Sequence, residues 1–227
     1  MKAMILAAGR GERMRPLTDL TPKPLLKVGG KALIEYSIEN LVTAGFKEIV
    51  INVAHLGRQI VDFCGSGGRW GASIEYSDEG ETALETAGGI AYALPLLGDK
   101  PFLVINADIF SHVPLARLRG QKIDLAHLIL IENPPHHPLG DFSLSADGLL
   151  AEHGSEKLTF SGIGVYHPEL FQNIPRGPLK LRPVLNRAMR QNRIHGEKFD
   201  GLWMDIGTPQ RLLEIENLLG QARVATA

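Results

Sequence analysis

The chain has 227 residues, 44% of them hydrophobic and 22% charged, with a formal net charge of −1. That is enough apolar material for a full core and too little positive charge for a general nucleic-acid binder. No apolar run approaches the roughly 18 residues needed to cross a bilayer, and the N-terminus shows no cleavable signal pattern. Cys64 is the one cysteine, so an internal disulfide is excluded; the thiol is expected to pack in the core, and the expected setting is the cytoplasm.

In chain order, the apolar run 3–8 reads as a buried strand that ends at glycine. Segment 32–46 carries apolar residues at helical spacing, and Gly45 is placed to end that helix. A strand is expected over 48–53, a helix over 55–64, a strand over 72–77 and a helix over 86–97 with Pro95 near its end. "PFLVINAD" (101–108) is a second buried strand that ends in an acid. The second half is less regular. Strands are expected over 124–131 and 158–167, and an Asp147-Gly148 turn inside 141–152 signals a hairpin. A helix over 179–192, a strand over 201–207 and a helix over 208–222 with Thr208 as N-cap complete the chain. The alternation predicts one α/β domain over 1–227, Rossmann-like, with a mostly parallel sheet, helices on both faces and a small β-rich part in the second half.

The loop after the first strand carries the chemistry. "AAGRGERMRPLTDLTPKPLL" sets Gly9 and Gly11 beside Arg10, Arg13 and Arg15 and then holds Lys23 between two prolines. Glycines let a backbone approach phosphate closely, and flanking prolines present a lysine more firmly than a free surface would. The G-x-x-x-x-G-K-[ST] phosphate loop is absent, and the third glycine of G-x-G-x-x-G is replaced by Met14.

The pattern G-x-G-x-R-x-x-P-x-T followed by P-K-P resembles the signature of sugar-1-phosphate nucleotidylyltransferases. Gly9, Gly11, Arg13, Pro16, Thr18, Pro22, Lys23 and Pro24 carry the match. Glu12 departs from it, standing where the family often has a small Thr or Ser. The resemblance implies that this loop wraps a nucleoside triphosphate, with Arg13 on the leaving pyrophosphate and Lys23 on the reacting phosphates. Asp108, and Asp205 in the W-x-D-x-G-T segment formed by Trp203, Asp205, Gly207 and Thr208, are then the implied ligands of Mg²⁺. Catalysis is expected from Arg13, Lys23, Asp108 and Asp205.

By the same resemblance, Ala7, Gly9, Gly11, Glu12, Glu85 and Gly88 join Arg13 and Lys23 around the nucleotide, while Asn106, Gly140, Glu156, Lys157 and Asp205 meet the sugar phosphate. Leu158 replaces the proline of the family's E-K-P segment. A plainer reading of "LETAGGI" (84–90) is a helix start whose glycines serve close packing. His136 and His137 are read as part of a mobile loop near the sugar and not as metal ligands. The implied partners are UTP and a sugar 1-phosphate, N-acetylmuramate α-1-phosphate by overall likeness, with no nucleic acid and no membrane. A monomer or small homo-oligomer is expected. A guanylyltransferase for mannose 1-phosphate, a cytidylyltransferase for phosphocholine and an inactive binding subunit remain open alternatives. On helix 179–192, Lys180, Arg182 and Arg187 are either a solvated basic face or partners for a substrate carboxylate.

Overall fold

The computed structural model describes residues 1–225. Seven strands form the main sheet: β1 Ala3–Leu6, β2 Glu48–Val53, β3 Ser73–Asp78, β4 Phe102–Asn106, β5 Ala126–Ile131, β6 Thr159–Tyr166 and β7 Ile194–Lys198, in the order β7-β5-β6-β4-β1-β2-β3. Only β6 runs against the rest, pairing antiparallel with both β4 and β5. The helices are α1 Leu33–Thr43, α2 Gly57–Cys64, α3 Glu85–Leu97, α4 Leu181–Met189 and α5 Pro209–Ala225.

Side-chain alternation along the strands separates the two faces. Ile5, Ile49, Ile51, Leu103 and Ile105 pack in the layer that holds Ile34, Ile38 and Leu41 of α1 and Ile60 of α2. Met4, Val50, Phe102 and Val104, one residue out of step, pack in the layer with Ile90 of α3 and Val184 and Leu185 of α4. The strands are apolar on both faces because both faces are covered. Cys64 is buried in the first layer, and burial pushes its thiol up to about 11, so it is a packing residue.

A third, smaller cluster stands apart from the sheet. Val28, Leu33, Phe110, Ile206 and Ile215 bury one another beneath α5. It supports a two-stranded antiparallel ribbon, Ile109–Ser111 with Trp203–Asp205. The expected strand over 201–207 therefore forms only at 203–205 and lies outside the main sheet. The expected hairpin forms as Ser143–Leu144 against Leu150–Ala151, with Gly148 at φ +83°. β7 was not foreseen: "IHGEK" is too polar and too short of β-branched residues to signal a strand, yet it pairs with β5 as the sheet edge.

Candidate functional site

β1, β2 and β4 run parallel, so their C-terminal ends open on one side. Leu6 pairs in register with Asn52 and with Asn106, which places these three residues side by side at the rim. A cleft of about 460 Å³ lies there. This is where open α/β sheets bind ligands.

The loop after β1 forms one wall of the cleft. The Ala7 N–H donates to Asn52 Oδ1 at 2.8 Å, and Asn52 Nδ2 donates to Glu79 Oε1 at 2.6 Å. Glu79 Oε2 accepts from the Leu84 N–H at 2.6 Å, so one largely buried chain of bonds ties the loop to the segment that opens α3. Burial pushes the Glu79 carboxyl up, opposed by the bonds from Leu84 and Asn52. Gly11 is required twice over: its φ is +71°, and a Cβ would come within 2.9 Å of Thr18 Cγ2. Thr18, itself buried, donates its hydroxyl to Gly11 O at 2.9 Å. Met14 closes a short turn with Gly11 and is fully buried. A third glycine there would leave a hole, which explains the departure from G-x-G-x-x-G.

The charged groups come from distant parts of the chain. Lys23 sits in a turn between Pro22 and Pro24 and forms an ion pair with Asp108. Asp108 lies two residues beyond the end of β4. The Ile206 N–H donates to Asp108 O at 2.8 Å, and Asp205 pairs in register with Ile109. Asp108, in the turn just before the 109–111 strand, is thus brought beside the end of the strand that carries Asp205. Asp205 forms an ion pair with Arg211 at the start of α5 and has His136 Nε2 at 3.1 Å. Asp108 lines the cleft and Asp205 does not; as hard oxygen donors both suit Mg²⁺, which takes its remaining ligands from phosphate and water. Arg13 reaches the same place from the loop: a Cβ on Gly207 would come 3.0 Å from its guanidinium and 2.8 Å from that of Arg211. Gly207 is the space both cations use.

Of the expected nucleotide residues, Ala7, Gly9, Gly11, Glu12, Arg13, Lys23 and Glu85 all line the cleft, as do Asn106 and Asp108. Gly88 does not. Its N–H donates to Leu179 O at 3.1 Å, and a Cβ would come 2.4 Å from Gly177 O, so it serves close packing. Gly140, Glu156 and Lys157 line neither the cleft nor the groove beside it. Gly140 packs on the Lys157 backbone, where a Cβ would come 2.9 Å from Lys157 O. The Leu158 N–H donates to Phe142 O at 2.8 Å, a bond that a proline could not make. His136 and His137 are tied down, His137 Nε2 lying 3.2 Å from Asp141 Oδ1. Sequence reasoning missed Asn52, Glu79, Thr86 and Arg211. Asn52 alone left a trace, as the one polar residue near the end of an apolar run.

A second groove, of about 310 Å³, adjoins the cleft and shares Leu6, Glu85, Thr86 and Asn106 with it. Its wall also carries Lys180 and Arg182. Arg187 lines neither.

The family model described as "Nucleotidyl transferase" matches residues 2–222. The chain belongs to the nucleotidyl transferase family. This nucleotidyl transferase is 55% identical to the N-acetylmuramate α-1-phosphate uridylyltransferase of Neisseria meningitidis serogroup B, over 97% of the chain and 99% of the relative. It is 36% identical to the protein of the same name from Caulobacter vibrioides, over 97% of each. Its fold matches a Bacillus anthracis structure assigned provisionally as a glucose-1-phosphate thymidylyltransferase, with a TM-score of 0.84 at 24% identity over 96% of this chain and 94% of that one.

Proposed function

We propose that this chain, acting as one cytoplasmic domain, transfers a uridylyl group from UTP to N-acetylmuramate α-1-phosphate and releases pyrophosphate, a step of bacterial cell-wall recycling. The observation that carries this reading is the 55% identity, over nearly the full length of both chains, to the meningococcal enzyme of that name. The cleft supplies what such a transfer needs. A phosphate oxygen of the sugar phosphate is already anionic at neutral pH, so its attack on the α-phosphorus requires no general base. What it requires is position and relief of charge.

In this reading, the loop from Gly9 to Arg13 wraps the triphosphate. Lys23, held by its prolines and by Asp108, faces the reacting phosphates. Arg13, beside Gly207, neutralises charge that shifts towards the pyrophosphate. Asp108 and Asp205 would hold Mg²⁺, which supplies further charge neutralisation at the phosphates when bound. Asn106, shared by cleft and groove, sits where nucleotide and sugar meet. The test is pyrophosphate release with N-acetylmuramate α-1-phosphate and Mg²⁺, offered UTP, CTP, GTP or dTTP in turn. UTP is expected to give the highest kcat/KM; a preference for any other triphosphate overturns the assignment.

A further inference from the structure

The two depressions divide the charges between them. Arg13, Lys23 and Asp108 line the cleft and are absent from the adjoining groove. Phosphate chemistry belongs to the cleft, so the groove receives the part of the sugar that points away from its phosphate. Two cations nevertheless stand there. Arg182 is already engaged: its guanidinium donates to Asp141 O at 3.1 Å, lies 3.5 Å from Asp141 Oδ1 and rests over the Phe142 ring at 5.6 Å. The side chain of Lys180, just before α4, makes no ion pair or hydrogen bond with any described residue. The one acid on the groove wall is Glu85, which sits on the part shared with the cleft. The groove wall thus carries two cations against one acid, a net positive lining.

We propose that Lys180 pairs with a carboxylate carried by the sugar and so selects lactyl-bearing sugar phosphates over those that lack this group. The inference rests on the uridylyl-transfer reading above and names the residue that makes its substrate distinctive. On a pyranose, the third carbon is two ring bonds from the first, and in the α anomer its equatorial substituent projects outward from the ring, in a different direction from the axial phosphate. A sugar phosphate seated with its phosphate in the cleft carries that substituent into the groove. N-acetylmuramate ends it in a carboxylate, ionised at neutral pH; N-acetylglucosamine has a hydroxyl there. The Lys180 side chain is exposed and makes no hydrogen bond or ion pair with any described residue, so replacing it leaves the fold intact.

The experiment compares Lys180→Met and Lys180→Arg with the wild type, using UTP, Mg²⁺ and either N-acetylmuramate α-1-phosphate or N-acetylglucosamine α-1-phosphate. The wild type is expected to favour the lactyl sugar. Lys180→Met is expected to lower kcat/KM for that sugar by roughly 10- to 100-fold, the loss of one charge-assisted bond, chiefly through KM. The other sugar should be unaffected, and Lys180→Arg should restore most of the preference. An equal fall on both sugars, or no fall on either, overturns the role of Lys180 and leaves the proposed reaction standing. A wild type without preference for the lactyl sugar overturns the proposed substrate itself.

Discussion

At the scale of single residues, the site is built from paired opposite charges. Lys23 is paired with Asp108, and Arg211 with Asp205. If the two acids also hold Mg²⁺, Asp108→Asn removes a ligand and frees Lys23 at once. Turnover is expected to fall by about two to three orders of magnitude while the folded chain survives. EDTA should silence the wild type and added Mg²⁺ restore it; full activity in EDTA would rule out the metal. Lys23→Ala tests the other member of the pair. Charge on the transferring group builds towards the transition state, so kcat should drop more than KM for the sugar phosphate rises. A change confined to that KM would move Lys23 into the sugar subsite. Asn52→Ala leaves the Ala7 N–H and Glu79 each short of a partner. The expected result is weaker UTP binding, read by calorimetry, with the sugar phosphate unaffected.

At the scale of elements, what the sequence announced depended on periodicity. Strands 48–53 and 126–131 and the helices α1 and α3 are long and apolar enough to show their periods, and they form within a few residues of the expected places. β7 and the 109–111 ribbon strand are short and made by pairing partners, and no local pattern could show them. The loop that walls the cleft was legible because glycines, arginines and a proline-bracketed lysine crowd one stretch. Asn52 and Glu79 reach the cleft, and Arg211 reaches Asp205, from separate elements, with at most the faint trace of Asn52 in its apolar run. Gly88 shows how a motif can mislead, because its place in "ETAGG" reflects the approach of the 177–179 segment to α3. Gly88→Ala puts the better helix former into α3, a change that adds about 1 kcal/mol at an open position. Here the new Cβ would meet Gly177 O at 2.4 Å, and the sign should reverse. A loss of about 1–3 kcal/mol is expected by urea denaturation; a gain in stability would show that the 177–179 segment yields.

At the scale of the whole molecule, the two acids depend on a core that the main sheet does not provide. Asp108 follows β4 directly, but Asp205 arrives nearly a hundred residues later on a three-residue strand, too short to hold its own register. What fixes it is the small cluster beneath α5, where Ile206 and Phe110, each next to a ribbon end, pack with Val28, Leu33 and Ile215. Ile215 is fully buried there and comes from α5, the helix that also supplies Arg211 to Asp205. The placement of Asp205 is therefore coupled to a cluster whose buried residues do not line the cleft. Ile215→Ala empties part of that cluster and should cost about 2–4 kcal/mol of stability. Because the cavity opens under the ribbon and not under β1 or β4, the loop that carries Arg13 and Lys23 keeps its support. The Mg²⁺ concentration needed for half-maximal activity should then rise several-fold, with KM for UTP at saturating Mg²⁺ little changed. A variant that loses the stability but keeps the wild-type Mg²⁺ dependence would show that Asp205 is positioned by the ribbon alone, and that α5 is no part of the catalytic frame.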